Sequence, residues 1–279
     1  MNYRHAYHAG NFADVMKHAL LARILSHLLK KPAAFRVIDT HAGIGIYDLS
    51  GEEASKTEEW RSGIGAMEAP FAPEVETVLE PWRHVVAALR AGRGSATYPG
   101  SPGIIRAMMR AQDRAILVEK HPEDHATLAA EFRHAANVKV VHLDGWTALG
   151  GFIPPKERRG LVLIDPPFEE PGEFARCAAR FAQALKRWPT GIVALWYPVK
   201  HEKEVAALAD AVAAAVTSPT LRLELHVGPA DGTRLAGSGL LVANPPFTLS
   251  KDASRLLPAL VERFQGTGFV REDLVPETG

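Results

Sequence analysis

The stretch GLVLIDPPFEE, residues 160–170, runs four apolar residues into an acid, two prolines and an aromatic ring. Proline has no N–H and cannot continue a regular strand ladder, so the turn after Asp165 is stiff and its carbonyls are free to accept from a ligand. The Asp165 side chain and the Pro166 carbonyl form two acceptors suited to one –NH2 group, and Phe168 offers a face on which a planar base can stack. The amine of adenine is a poor nucleophile because its lone pair is delocalised into the ring. Two acceptors draw its hydrogens out of the ring plane, restore lone-pair character and stabilise the positive charge that develops as a methyl group arrives. Asp165, or solvent through it, then takes the proton. A plain Pro-rich turn closing a strand is the competing reading, and only the place of Asp165 in a sheet separates the two.

Three more segments pair an acid with a strand end. They are Asp39-Thr40-His41-Ala42-Gly43-Ile44-Gly45, Glu119, and Asp144-Gly145. In an open parallel sheet, ligands bind beyond the carboxyl ends of the strands. Glu119 after a second strand can accept from both hydroxyls of a ribose, and Asp144 after a third can accept from an adenine amine. Taken alone, Asp144 is more often a helix N-cap. The ordered set describes an adenosine-type cofactor along the edge, with no phosphate-cradling GxGxxG. S-adenosylmethionine fits and a dinucleotide fits poorly. GLLVANPPF, residues 239–247, nearly repeats the first stretch with Asn244 in place of the acid.

His5, His8 and His18 crowd the N-terminus and His41 lies in the first loop. No His-Glu-x-x-His spacing exists and the nearby acids already have roles, so no metal site is expected. Asp14 and His18 sit one helical turn apart, where they can simply pair. The one cysteine, Cys177, excludes a disulfide framework and reads as a small buried residue.

These residues need elements to hold them. Val15, Met16, Ala19, Leu20, Ile24 and Leu28 recur at helical spacing over residues 12–30, with Asn11 as N-cap. Strands are predicted at 35–39, 115–119, 138–144, 160–165, 191–197, 221–227 and 238–244. Helices are predicted at 102–112, with Ser101 as N-cap, and at 122–135, 171–187 and 202–216. Such alternation calls for a largely parallel sheet covered on both faces. Residues 228–237 are too few and too turn-rich for a helical crossover, so the last two of these strands form a hairpin. Seven strands with an antiparallel last one is the α/β, Rossmann-like pattern of class I S-adenosylmethionine-dependent methyltransferases. On that topology Asn244 emerges at the edge away from the cofactor and is a strand terminator. The whole chain, 1–279, then reads as one methyltransferase domain. Residues 46–100 exceed what a simple βαβ unit needs and read as a helical insertion within it, at the ligand rim or as a stability cap.

The 279 residues are 47% hydrophobic and carry 32 basic and 32 acidic side chains. A uniformly basic nucleic-acid coat is therefore excluded. Residues 1–31 hold five basic residues against Asp14 alone, which permits a local phosphate-binding surface. No apolar run approaches the roughly 20 residues of a membrane span, and the N-terminus has no signal-peptide h-region. A cytoplasmic protein is expected, with no membrane association and no obligate protein partner.

YRHAYHAGNFADVMKH, DTHAGIG, YPGSP, VEKHP, LDGW, RRGLVLIDPPF, ALWYPV and SGLLVANPP together closely resemble the RlmJ family, nearly end to end. These are bacterial S-adenosylmethionine-dependent enzymes that methylate an adenine of 23S ribosomal RNA at N6. The resemblance implies cofactor contacts at His18, His41, Ser101, Glu119, Asp144, Gly145 and Asp165. It implies a catalytic segment at Asp165, Pro166 and Phe168, and substrate contacts at Tyr3 and Phe168. Relatives carry Tyr as the fourth residue of the tetrapeptide, so Phe168 keeps the stacking face and loses a hydroxyl. Competing readings are a DNA adenine or protein glutamine methyltransferase, and a non-catalytic RNA-binding protein on a relic cofactor fold.

Overall fold

The computed structural model describes residues 4–276, so Tyr3 lies outside the described residues. Its first long helix, α1 (Phe12–Leu29), is capped by Asn11, whose side chain accepts from Ala13 N and Asp14 N. Nearly every residue of α1 from Ala13 to Leu25 is buried, as expected of a helix covered on several sides. α1 leads into β1 (Arg36–Asp39). Next come β2 (Ile46–Asp48), α2 (Glu52–Thr57), α3 (Glu59–Ser62), α4 (Pro73–Arg93), β3 (Thr97–Pro99) and α5 (Ser101–Met108). β4 (Arg114–Glu119), α6 (Pro122–Phe132), β5 (Val138–His142), α7 (Gly145–Phe152), β6 (Gly160–Ile164), α8 (Glu173–Arg187) and β7 (Ile192–Val199) follow. The chain continues through α9 (Glu202–Ala215), β8 (Thr220–His226), β9 (Gly237–Ala243), α10 (Leu249–Arg263) and β10 (Gly268–Val275).

The main sheet has the order β10-β8-β9-β7-β6-β1-β4-β5. β5, β4, β1, β6 and β7 run parallel, with the short β1 at the centre, and β9 lies antiparallel between β7 and β8. The expected α/β class I arrangement is therefore present, hairpin included. The expected count of seven strands is corrected to eight, because β10 pairs antiparallel with β8 at the edge. Its apolar residues do not alternate cleanly and it stays half-exposed, so its sequence carries a weak strand signal.

Between β1 and α5 the chain makes an antiparallel pair, Ile46↔Pro99 to Asp48↔Thr97, and the helices α2 to α4 fill the span between its strands. α4 runs through Pro81, and its buried Val78, Leu79 and Trp82 join the core that covers α1. Arg263 of α10 secures the same segment by donating to Ala66 O and Ala69 O and stacking 3.7 Å from the Phe71 ring centroid.

The near-repeat at Asn244 folds differently from its twin. Asn244 adopts a left-handed φ of 50° and its amide donates to Pro189 O and Gly191 O, just before β7 begins. It thus sits at the amino ends of the parallel strands, and Phe247 is left 80% exposed there.

Candidate active site

A cleft of about 890 Å³ lies over the carboxyl ends of the parallel strands. Asp165 follows β6 directly and lines it together with Pro166, Pro167 and Phe168. Phe168 has a φ of 53°, a left-handed conformation that costs a bulky L-residue on the order of 1 kcal/mol or more. Its ring is held by Phe174, centroids 4.8 Å apart, and edge-on by Trp196 at 6.0 Å. The prolines and these two rings fix the turn that the sequence predicts to be stiff.

Lys17 of α1 reaches into this turn. Its Nζ donates to Asp165 Oδ2 at 2.6 Å and lies 3.0 Å from Asp14 Oδ1, with only 4% of the side chain exposed. The ammonium also stands 5.5 Å from the Trp196 ring centroid. Burial works against its charge, but Asp14 and Asp165 outweigh burial and raise its pKa above the ordinary lysine value. Lys17 is therefore a fixed cation and not a base. Asp14 also accepts from Gly10 N at 2.9 Å and meets His5 Nε2 at 2.9 Å. Burial pushes its carboxyl up, yet His5, Lys17 and His18 together hold it well below the usual range.

His18 lines the cleft from the same helix but is nearly enclosed. Its Nδ1 shares a 2.9 Å hydrogen bond with the Tyr98 hydroxyl, and burial lowers its pKa to about 3, so the ring is neutral. The expected pairing with Asp14 is loose at 3.9 Å; His5 is the closer histidine. Ser101 is not the N-cap expected of α5, a place taken by Gly100. It is the first helical residue, and its hydroxyl donates to Asp39 Oδ2 at 2.6 Å. Asp39 is fully enclosed beneath it, and burial raises its pKa to about 7 against the hydrogen bonds from Ser101 and His41 N.

Glu119 Oε2 accepts from Gly43 N at 2.8 Å and Oε1 from His121 N at 2.7 Å, which leaves each oxygen a further lone pair. Burial raises its pKa. Asp144 caps α7 through Oδ1, to Trp146 N and Thr147 N, while Oδ2 pairs with Lys120 at 3.1 Å. The N-cap role and a place in the cleft thus coexist in one residue. His41 sits edge-on to Trp146, bonded through Nδ1 to Thr40 Oγ1 at 2.8 Å, and burial lowers its pKa to about 4. Two glycines let this floor pack tightly. A Cβ on Gly145 would fall 2.3 Å from Thr40 O, and one on Gly43, at φ 61°, would fall on the Tyr47 hydroxyl.

The structure thus gathers Asp165, Pro166, Phe168, His18, His41, Ser101, Glu119, Asp144 and Gly145 around one cleft. Sequence reasoning missed Lys17, Trp196 and the buried Asp39–Ser101 pair. The Asp14-x-x-Lys17 spacing was a visible signal for a buried ion pair on α1. Nothing local to the sequence connects Lys17 to Asp165.

A family model described as ribosomal RNA large subunit methyltransferase D, RlmJ, matches residues 32–275. Two curated relatives named ribosomal RNA large subunit methyltransferase J are each 37% identical. The Escherichia coli protein aligns over 99% of this chain and 100% of its own length, and the Haemophilus influenzae protein over the same shares. A crystal structure of a Legionella pneumophila protein superposes with a TM-score of 0.85 at 31% identity, covering 95% of this chain and 98% of the other.

Proposed function

We propose, from the premise that this chain belongs to the RlmJ family of ribosomal RNA large subunit methyltransferases, that it methylates the exocyclic N6 of an adenine in 23S ribosomal RNA. The observation that carries the reading is Asp165 at the end of β6, pinned by Lys17 at 2.6 Å and followed by two prolines and a ring in a strained turn. Such a turn presents a carboxylate and a backbone carbonyl to one amine beside an aromatic wall.

The residues of the cleft fit S-adenosylmethionine as cofactor, which supplies a methyl group on a sulfonium centre. Glu119 keeps one free lone pair on each oxygen, which a ribose diol would use. Asp144, with Lys120 beside it, would receive the adenine amine of the cofactor, and His18, His41 and Ser101 line the same cleft.

Toward the substrate, Phe168, backed edge-on by Trp196, offers the ring against which a flat base turned out of its RNA stack would lie. Lys17 holds Oδ2 of Asp165 and leaves Oδ1 for the incoming amine. The Pro166 carbonyl is the second acceptor. Both acceptors bind the amine more strongly as it gains positive charge, which is the differential binding that lowers a barrier. The departing proton passes to Asp165 or to water through it, since Lys17 is already cationic. A cytoplasmic location accords with an RNA substrate of this kind. Among the described residues no helix is long and apolar enough to cross a membrane.

The test is labelled-methyl transfer to protein-free unmodified 23S RNA, assembled large subunits and DNA, followed by nucleoside analysis. The expected product is N6-methyladenosine from an RNA substrate. Transfer to DNA alone, or a different methylated nucleoside, would refute the reading.

A further inference from the structure

The rim of the cleft is divided by charge along the order of the strands. β4, β5 and β6 lead into Glu119, Asp144 and Asp165, and the exposed Glu169 and Glu170 extend the acidic side. On the other side, β7 runs straight into Lys200, and the β8–β9 turn brings Arg234 to the same cleft. A polyanion that delivers a base to Asp165 must pass this acidic rim, so it needs cations that are not already neutralised.

Most cations of the cleft are neutralised. Lys17 is engaged by Asp14 and Asp165, Lys120 by Asp144, and Arg176 by Glu170 and Glu173. Lys200 and Arg234 differ. Among the described residues neither has a carboxylate oxygen within 4.0 Å. Asp231, the acid of that turn, accepts from both the amide and the hydroxyl of Thr233 and acts on Arg234 only at longer range than an ion pair. The segments bearing the two cations are nonetheless tied together. Gly232 N donates to Lys200 O at 2.9 Å, Ala236 N donates to Val199 O at 2.9 Å, and His201 bridges Asp231 through the backbone. Both side chains are exposed at the rim, next in strand order to Asp165 and beyond the Trp196 wall. Holding them in water costs little free energy, and pairing each with a phosphate releases counterions.

We infer that Lys200 and Arg234 bind phosphate groups of the substrate strand beside the target adenosine, so that cofactor and RNA occupy opposite halves of one sheet edge. The inference rests on the RNA-methyltransferase reading above. Its test is a comparison of the wild-type chain with Lys200→Ala, Arg234→Ala, the double variant, and the charge-conserving pair Lys200→Arg and Arg234→Lys. An unmodified 23S RNA fragment containing the methylated position serves as probe. Each alanine variant is expected to raise KM and the directly measured RNA Kd about tenfold, while kcat at saturating RNA changes far less. The dependence of log Kd on log salt should flatten by about 1 per residue removed. S-adenosylmethionine affinity should be unchanged, and the charge-conserving variants should recover most of the RNA affinity. A double variant with wild-type KM and salt slope would overturn the assignment. So would weakened S-adenosylmethionine binding with RNA affinity intact, which would give the two cations to the cofactor instead. Absence of RNA methylation by the wild-type chain is a separate result that refutes the parent reading.

Discussion

The ammonium of Lys17 lies 2.6 Å from Oδ2 of Asp165, joining the first long helix to the end of β6 across 148 positions of sequence. With Asp14 at 3.0 Å on its other side, Lys17 sits between two carboxylates in a place almost without solvent. Removing one partner of a buried charge group leaves the others uncompensated, which is costly even where the intact group adds little net stability. Lys17→Met should therefore lower the unfolding free energy by about 3 kcal/mol, measured by urea denaturation. It should also abolish methyl transfer, because Asp165 loses the contact that orients it. In a double-mutant cycle with Asp165→Asn, the combined loss of stability should fall short of the sum by about 1–3 kcal/mol. Strict additivity would mean that the contact is not energetically coupled.

The two near-identical turns provide an internal control. Asp165→Asn keeps the shape of the side chain and replaces one acceptor oxygen by a donor, which cannot face an amine. Turnover should drop about 10²–10³-fold with S-adenosylmethionine binding largely retained. Asn244→Ala removes two hydrogen bonds to the Pro189 and Gly191 carbonyls at the far edge. It should cost on the order of 1–2 kcal/mol of stability and leave turnover unchanged. Loss of turnover on Asn244→Ala with full activity of Asp165→Asn would exchange the roles of the two turns.

The contrast between these turns also marks what the sequence holds. A strand-end acid is legible because a parallel sheet sends successive carboxyl ends to one edge, and the short 228–237 connection reverses the strand that carries Asn244. α7 was not legible, since GWTALGGF is short and rich in glycine; its anchor is the Asp144 cap. Ser101 read as a cap because serine before proline is a common helix start, whereas its hydroxyl is drawn to the buried Asp39. Lys17 lay inside a clear helical pattern, but which side chain a helix residue meets across the core is a property of packing and not of period. The same holds for Trp196, one residue of an apolar strand until Phe168 is placed beside it.

Asp39 sets a pH dependence of stability whose sign follows from its raised pKa. The folded state keeps its proton up to about pH 7, whereas the unfolded chain releases it near 3.8. Between these values the native state binds more protons, so this contribution to stability declines as pH rises through the window and is flat above it. Its upper bound is about 4 kcal/mol. His18 and His41 act in the opposite direction, because their folded pKa values of about 3 and about 4 lie below the ordinary histidine value of 6.5. They add stability above pH 6.5 that is lost as pH falls. The Asp39 contribution is therefore read as a difference from Asp39→Asn, which keeps an acceptor for Ser101. Stability of wild type relative to that variant should decline from pH 4 to pH 7 in chemical denaturation. A difference independent of pH would mean that Asp39 is ionised throughout.

Phe168 offers the stacking face without the hydroxyl that the family resemblance leads one to expect at this place. Its backbone is held in the left-handed region, and its ring is wedged between Phe174 and Trp196, so ring position is set by the protein before any substrate arrives. Pre-set stacking on a base is worth about 1–3 kcal/mol. Phe168→Ala should therefore lower kcat/KM for RNA by about 5- to 150-fold, mostly through KM. Phe168→Tyr restores the hydroxyl without moving the ring, and should stay within about twofold of wild type if the two acceptors, Asp165 and the Pro166 carbonyl, suffice for the amine. A large gain on Phe168→Tyr would show that a hydroxyl at this place can take part in the chemistry. An alanine variant with wild-type KM would remove the base-stacking role from Phe168 and leave Trp196 as the wall.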